Sequence, residues 1–172
     1  IGNPYHYRDV RTEGIIEEAL KRVPKKEIFN RTGIAFQKFN SLYQLLSMQL
    51  NEPDALERAS TMLFIPDLLT YFLTGEKMTE FTEATTSQML DAATGQWSRE
   101  LLHKLGIPDH FLTEIDYPGA ARGRVKERIA DFLGINEAPV FAVATHDTGS
   151  AVAAVPALNG RYAFLSSGTW SL

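Results

Sequence analysis

Near the C-terminal end, the apolar run Pro139-Val140-Phe141-Ala142-Val143-Ala144 gives way at once to Thr145-His146-Asp147-Thr148-Gly149-Ser150. A second run, Tyr162-Ala163-Phe164-Leu165, gives way in the same manner to Ser166-Ser167-Gly168-Thr169. Short apolar runs bounded by small polar residues read as buried strands, and α/β folds build their sites where such strands end. The first strand end offers a carboxylate and an imidazole. The second offers hydroxyls and a flexible backbone suited to holding an anion. That pairing points to phosphoryl transfer.

Each strand end also has a plainer reading. Asp147 can serve as the N-cap of a helix running through Ala151, Val152 and Ala154, with His146 a loop residue beside it. The two readings are compatible, because a carboxylate at a helix start is held by backbone N–H groups and can still accept a hydrogen bond from a substrate hydroxyl. Gly149, Ser150 and Ala151 are small enough to let a ligand approach the backbone. Ser166-Ser167-Gly168-Thr169 can be an ordinary turn, or a phosphate cradle in which Gly168 lets N–H groups converge and Thr169 adds a hydroxyl. Neither a Walker loop nor a G-x-G-x-x-G run is present.

Upstream, apolar spacing and punctuation predict mostly helix. Ile15, Ile16, Ala19, Leu20 and Val23 recur at helical spacing up to Pro24, and Lys25 to Asn30 reads as a second short helix before Thr32-Gly33. Asn40-Ser41 is expected to cap a helix running to about Leu50, and Ala55 to Ala59 a lesser one. Pro66 opens and Gly75 closes the next. Ser98 is the expected N-cap of Arg99 to Leu105, with Gly106 as its stop; Val125 to Ile135 is the last helix of this part. Phe81 to Asp91, rich in Thr and Ser, reads as structural. The pattern changes near Ala138 to strand, small-residue helix and strand, which places a domain boundary between 137 and 138.

Bulk properties narrow the function. A 172-residue chain with 44% hydrophobic residues can bury a real core. A net charge of −4 with no basic stripe argues against nucleic acid as a partner. Cysteine is absent, which removes disulfides, thiolate metal sites and cysteine nucleophiles together. A cytoplasmic setting fits, and no apolar stretch approaches a membrane span. The four histidines, His6, His103, His110 and His146, are scattered, so none is expected to ligate a metal. Tyr7-Arg8-Asp9 with Arg11 reads as a surface ion-pair cluster, with a substrate contact as the alternative. Asn30-Arg31-Thr32 matches a glycosylation tripeptide, a pattern that arises often by chance.

Taken in order, several segments resemble the FGGY-type carbohydrate kinases. They are Tyr7-Arg8-Asp9-Val10-Arg11-Thr12, Phe39-Asn40-Ser41-Leu42-Tyr43-Gln44-Leu45, and Ile65-Pro66-Asp67 through Leu73-Thr74-Gly75. They continue with Ala84-Thr85-Thr86-Ser87-Gln88-Met89-Leu90-Asp91, Thr145-His146-Asp147-Thr148, and Leu165-Ser166-Ser167-Gly168-Thr169-Trp170-Ser171-Leu172. The resemblance implies an α/β, actin-like (ribonuclease-H-like) ATPase fold of two domains with ATP and sugar in the cleft between them. Residues 1–137 would belong to the later part of the first, sugar-side domain, and 138–172 to the start of the second, ATP-side domain. It further implies Asp147 as the base toward the sugar hydroxyl, His146 as a sugar contact, Gly168 and Thr169 in the ATP phosphate loop, and magnesium on the phosphates. The implied reaction passes the ATP γ-phosphoryl group to the 1-hydroxyl of a ketose, L-rhamnulose first, with fuculose, xylulose or a related polyol as alternatives. A non-catalytic structural or binding module is the reading from a different class. The family's first phosphate loop and its adenosine pocket are expected outside this chain, which would then be a piece of a longer protein, inactive by itself.

Overall fold

A computed structural model describes residues 5–157 and 160–168. After a turn in which Asp9 N donates to His6 O, a 3-10 turn over Val10–Thr12 leads to α1 (Ile15–Arg22) and α2 (Lys25–Thr32). In α1, Glu17 and Glu18 occupy the first turn and Lys21 and Arg22 the last, the arrangement that complements the helix dipole. Val23 turns extended before Pro24, as the residue preceding a proline must tend to do. Next come α3 (Ser41–Asn51), α4 (Pro53–Glu57) and α5 (Ile65–Thr74), the last closed by left-handed Gly75.

Ile15, Ala19 and Val23 pack with Ile28 of α2, with Leu42, Tyr43 and Leu46 of α3, and with Leu101, Leu102 and Leu105 of α7 (Arg99–Leu105). Met89, Ile107 and Phe111 join this buried cluster, together with Leu56 of α4 and Leu90 and Trp97. It is a mainly helical core, and it anchors one end of everything that follows.

Three short strand pairs accompany it. β1 (Thr79–Glu80) pairs in parallel with β4 (Ile115–Asp116), and α6 (Phe81–Thr86) starts directly from β1. β2 (Leu90–Asp91) and β3 (Gln96–Trp97) form a small antiparallel ribbon, which contributes Leu90 and Trp97 to the core itself. β5 (Ala121–Arg124) pairs antiparallel with β6 (Pro139–Phe141), with an irregularity between Ala121 and Arg124 where Gly123 has φ 81°. α8 (Glu127–Leu133) connects these two strands, and α9 (Asp147–Ala153) follows β6. Among the described residues no helix is long and apolar enough to cross a membrane.

Four expectations are corrected. Residues 162–165 are not a strand: among the described residues no ladder runs beside them, and Tyr162 and Leu165 are exposed. An apolar run becomes a strand only where a neighbour takes up its backbone groups. β6 does form, yet its residues are not buried; Phe141 is 56% exposed. Asn40 and Ser98 occupy N-cap positions without a side-chain cap bond. Asn40 instead donates through Nδ2 to Ala35 O and Gln88 Oε1, while Ser98 Oγ is buried without a hydrogen bond. Arg11 is engaged in a different way from an ion pair: Asp9 Oδ1 accepts from its backbone N, and its guanidinium lies 3.8 Å from the Tyr5 ring centroid.

Candidate active site

Asp147 begins α9, with His146 as the N-cap residue. The expectation that Asp147 caps this helix is corrected: it is the first helical residue, one position too late to cap, and its Oδ1 accepts from the neighbouring Thr148 N, at 2.6 Å, which holds the carboxylate against the first turn. It also accepts from Thr148 Oγ1 at 3.2 Å. The Asp147 side chain is 97% exposed. His146 is half-buried beside it, with Nε2 3.8 Å from Asp147 Oδ1. A carboxylate that is rigid, accessible and flanked by an imidazole can accept a proton from an incoming hydroxyl.

What holds this strand end comes from an unexpected place. Glu80, the last residue of β1, is fully buried and is the N-cap of α6. Its Oε1 accepts from Thr82 N at 2.9 Å and its Oε2 from Glu83 N at 3.1 Å, which satisfies two of the free donors of the α6 start. The same Oε2 also accepts from Thr145 N at 3.1 Å and from Thr145 Oγ1 at 2.8 Å. Thr82 Oγ1 donates to Glu80 and accepts from His146 N at 3.2 Å. Gly149 closes the contact, since a Cβ there would stand 3.4 Å from Thr82 Cβ. Thr82 is therefore not merely structural filler in a hydroxyl-rich helix. It meets the backbone of His146 directly.

Burial pushes the Glu80 carboxyl up, but the hydrogen bonds from Thr82 and Thr145 outweigh it and hold the group below the ordinary glutamate range. Glu83, on the same helix, shows the reverse balance: burial raises it, and the charge of nearby His146 offsets only part of that.

Beneath Glu80 lies a buried ionic cluster. Glu80 N donates to Asp67 Oδ1 at 3.1 Å, and Arg122 Nη1 donates to the same oxygen at 2.7 Å. Arg122 Nε reaches Asp116 Oδ2 at 2.7 Å and Nη2 reaches Asp116 Oδ1, a two-pronged pairing. α5, β4, β5 and the start of α6 thus converge under the strand end that carries His146 and Asp147.

Gly168 lies exposed at a bend, with nothing within 4 Å of where its Cβ would stand. Thr169 lies outside the described residues. Among the described residues no group of three or more His, Asp or Glu side chains could hold a metal ion, so no residue is assigned to magnesium.

Comparison with known proteins gives the fold and the family. The structure aligns with a xylulose kinase from Lactobacillus acidophilus with a TM-score of 0.75 at 24% identity, over 84% of this chain and 30% of that one. Glycerol kinase of Plasmodium falciparum gives 0.71 at 24% identity, over 83% of this chain and 29% of that one. The fold is accordingly part of the α/β, actin-like ATPase fold of the sugar kinases. The family model for the N-terminal domain of the FGGY family of carbohydrate kinases matches residues 1–154, and the chain belongs to that family. Its sequence is 46% identical to rhamnulokinase of Bacteroides thetaiotaomicron over 169 residues, 98% of this chain and 35% of that protein. Against rhamnulokinase of Oceanobacillus iheyensis the identity is 42% over 166 residues, 96% of this chain and again 35% of the relative. The chain spans about a third of the length of the curated relatives it matches.

Proposed function

We propose that the protein carrying this chain is an ATP-dependent sugar kinase that transfers the γ-phosphoryl group to the 1-hydroxyl of L-rhamnulose. The observation that carries the reading is the Asp147 carboxylate: exposed, fixed by the start of α9 and set beside His146. The choice of sugar is supported by the identity of 42–46% to rhamnulokinases along nearly the whole chain.

In this reading Asp147 accepts a hydrogen bond from the attacking hydroxyl and receives its proton late. A sugar hydroxyl is a far weaker acid than a carboxylic acid, so early deprotonation by Asp147 is unfavourable. A loose phosphoryl-transfer transition state does not require it, because orientation of the attacking oxygen matters more than its charge. His146 contacts the sugar. Gly168 and Thr169 contact the ATP phosphates through backbone N–H groups and the threonine hydroxyl. Magnesium, when bound to ATP, screens phosphate charge; no residue described here is assigned to it.

The test is a coupled ADP-release assay of the full-length protein against L-rhamnulose, L-fuculose and D-xylulose, with Asp147→Asn in parallel. L-Rhamnulose is expected to give the highest kcat/KM. Asp147→Asn is expected to lower turnover by about 10²–10⁴-fold while sugar binding, read by titration calorimetry, is kept. A preference for another ketose would overturn the assignment of the sugar. Turnover near wild type in Asp147→Asn would overturn that of the base.

A further inference from the structure

We propose that Glu80 and Thr82 form a latch that positions Asp147 for phosphoryl transfer, a role that rests on reading Asp147 as the proton acceptor. Asp147 takes its hydrogen bonds from Thr148, inside its own turn, and no side chain from another element of the described residues hydrogen-bonds to it. Its position in space is therefore inherited from the backbone that delivers it, residues 145 and 146. Both of those residues are tied to one place. Thr145 gives Glu80 its backbone N–H and its hydroxyl, and His146 gives Thr82 its backbone N–H.

The latch spans 65 residues of sequence between Glu80 and Thr145 and joins two helix starts. Glu80 caps α6, and Asp147 opens α9. One buried carboxylate serves both helices, since the oxygen that accepts from Glu83 N also accepts from Thr145. A glutamate is an uncommon N-cap, and Asp, Asn or Ser would cap α6 at least as well. The longer side chain is explained by the second task. Glu80 is itself held by β4 through the parallel pairing with Asp116 and by Asp67 through its backbone N–H, so the latch stands on the rigid part of the molecule. The two residues do not touch substrate; they are positioning residues.

The experiment uses the full-length protein and compares Thr82→Val, Thr82→Ser, Asp147→Asn and the Thr82→Val/Asp147→Asn pair. Thr82→Val removes the acceptor for His146 N, and Thr82→Ser keeps it. Thr82→Val is expected to lower kcat for sugar phosphorylation by about 10–100-fold with ATP affinity unchanged, and Thr82→Ser to restore it. In the Asp147→Asn background, Thr82→Val is expected to cost nothing further, because the group it positions is gone. A latch that merely stabilised the fold would lower activity by the same factor in both backgrounds, and that result would overturn the proposal. So would wild-type kcat in Thr82→Val while Asp147→Asn is inactive. Full activity in Asp147→Asn would instead remove the reading of Asp147 on which the latch rests. Should Thr82→Val not fold, Thr145→Val removes one donor to Glu80, leaves the α6 cap intact and carries the same expectations.

Discussion

Glu80 and Asp67 are buried residues joined by one hydrogen bond, from the backbone N–H of Glu80 to Asp67 Oδ1, and their carboxyl groups move in opposite directions from their ordinary pKa values. The difference lies in how many donors each oxygen finds. Both oxygens of Glu80 are used. Asp67 directs Oδ1 at Arg122 and Glu80 N, while its Oδ2 is buried with no hydrogen bond. Burial therefore wins at Asp67, against the pull of Arg122, and raises its pKa. The signs for stability follow by linkage. Glu80, depressed in the fold, contributes stability that is present above its unfolded pKa and is lost as the pH falls through its folded pKa. Asp67, raised in the fold, withholds stability at neutral pH and returns it on acidification. Melting temperatures measured from about pH 7 down to about pH 3 are expected to fall in the wild type, and Glu80→Gln is expected to flatten that acid limb. Asp67→Asn should leave the limb as steep or steeper. A Glu80→Gln curve running parallel to wild type through the acid range would contradict the donor count given to Glu80.

At the level of elements, Arg122 of β5 is the clamp between α5 and β4, through Asp67 and Asp116. Arg122→Met would leave two buried carboxylates without their counter-charge, a change that costs about 3–5 kcal/mol where such pairs have been broken. Urea denaturation of the chain is the check; a loss below about 1 kcal/mol, the range of a surface pair, would mean the cluster is solvated after all. The clamp also shows where sequence reading stopped. α1, α2, α5 and α7 are legible because apolar spacing and Pro or Gly punctuation agree, as at Pro66 and Gly75 or at Gly106. β5 reads Ala-Arg-Gly-Arg, with no alternation and a buried arginine, so nothing local announces a strand. Two-residue strands such as β1 and β4 carry no period at all. Likewise Asp147 and His146 stand out locally, as polar residues at the end of an apolar run. Their supports do not, because Glu80 and Thr82 reach them across a long loop of chain. The available signal was a charged residue, Glu80, followed two positions later by Thr82 within a hydroxyl-rich stretch, and it was consistent with ordinary capping.

At the scale of the whole molecule, the buried core and the region formed by α5, α8 and β6 differ in how well they are covered. Around α3 and α7 most large apolar side chains are buried, Leu50 near the end of α3 excepted, whereas α5, α8 and β6 present several of theirs outward. Ile65, Leu69 and Phe72 recur on one side of α5, and Phe132 of α8 is 88% exposed. These elements are neighbours: Lys126, the N-cap of α8, donates its N–H to Leu73 O, and β5 carries the Arg122 clamp to α5. Scattered apolar residues are normal on a surface, whereas several on adjoining elements offer a patch through which chains can associate. β6 adds a strand edge, with Phe141 outward, to the same region. The 172-residue chain by itself is therefore expected to associate at about 100 µM, seen in sedimentation velocity as species heavier than its 19.2 kDa monomer. Phe132→Glu combined with Phe141→Lys should return it to monomer without changing its far-ultraviolet circular dichroism, since neither side chain is part of the buried core. Association that persists in the double variant would place the sticky surface elsewhere, and a wild-type chain that stays monomeric would show that this apolar region does not drive association.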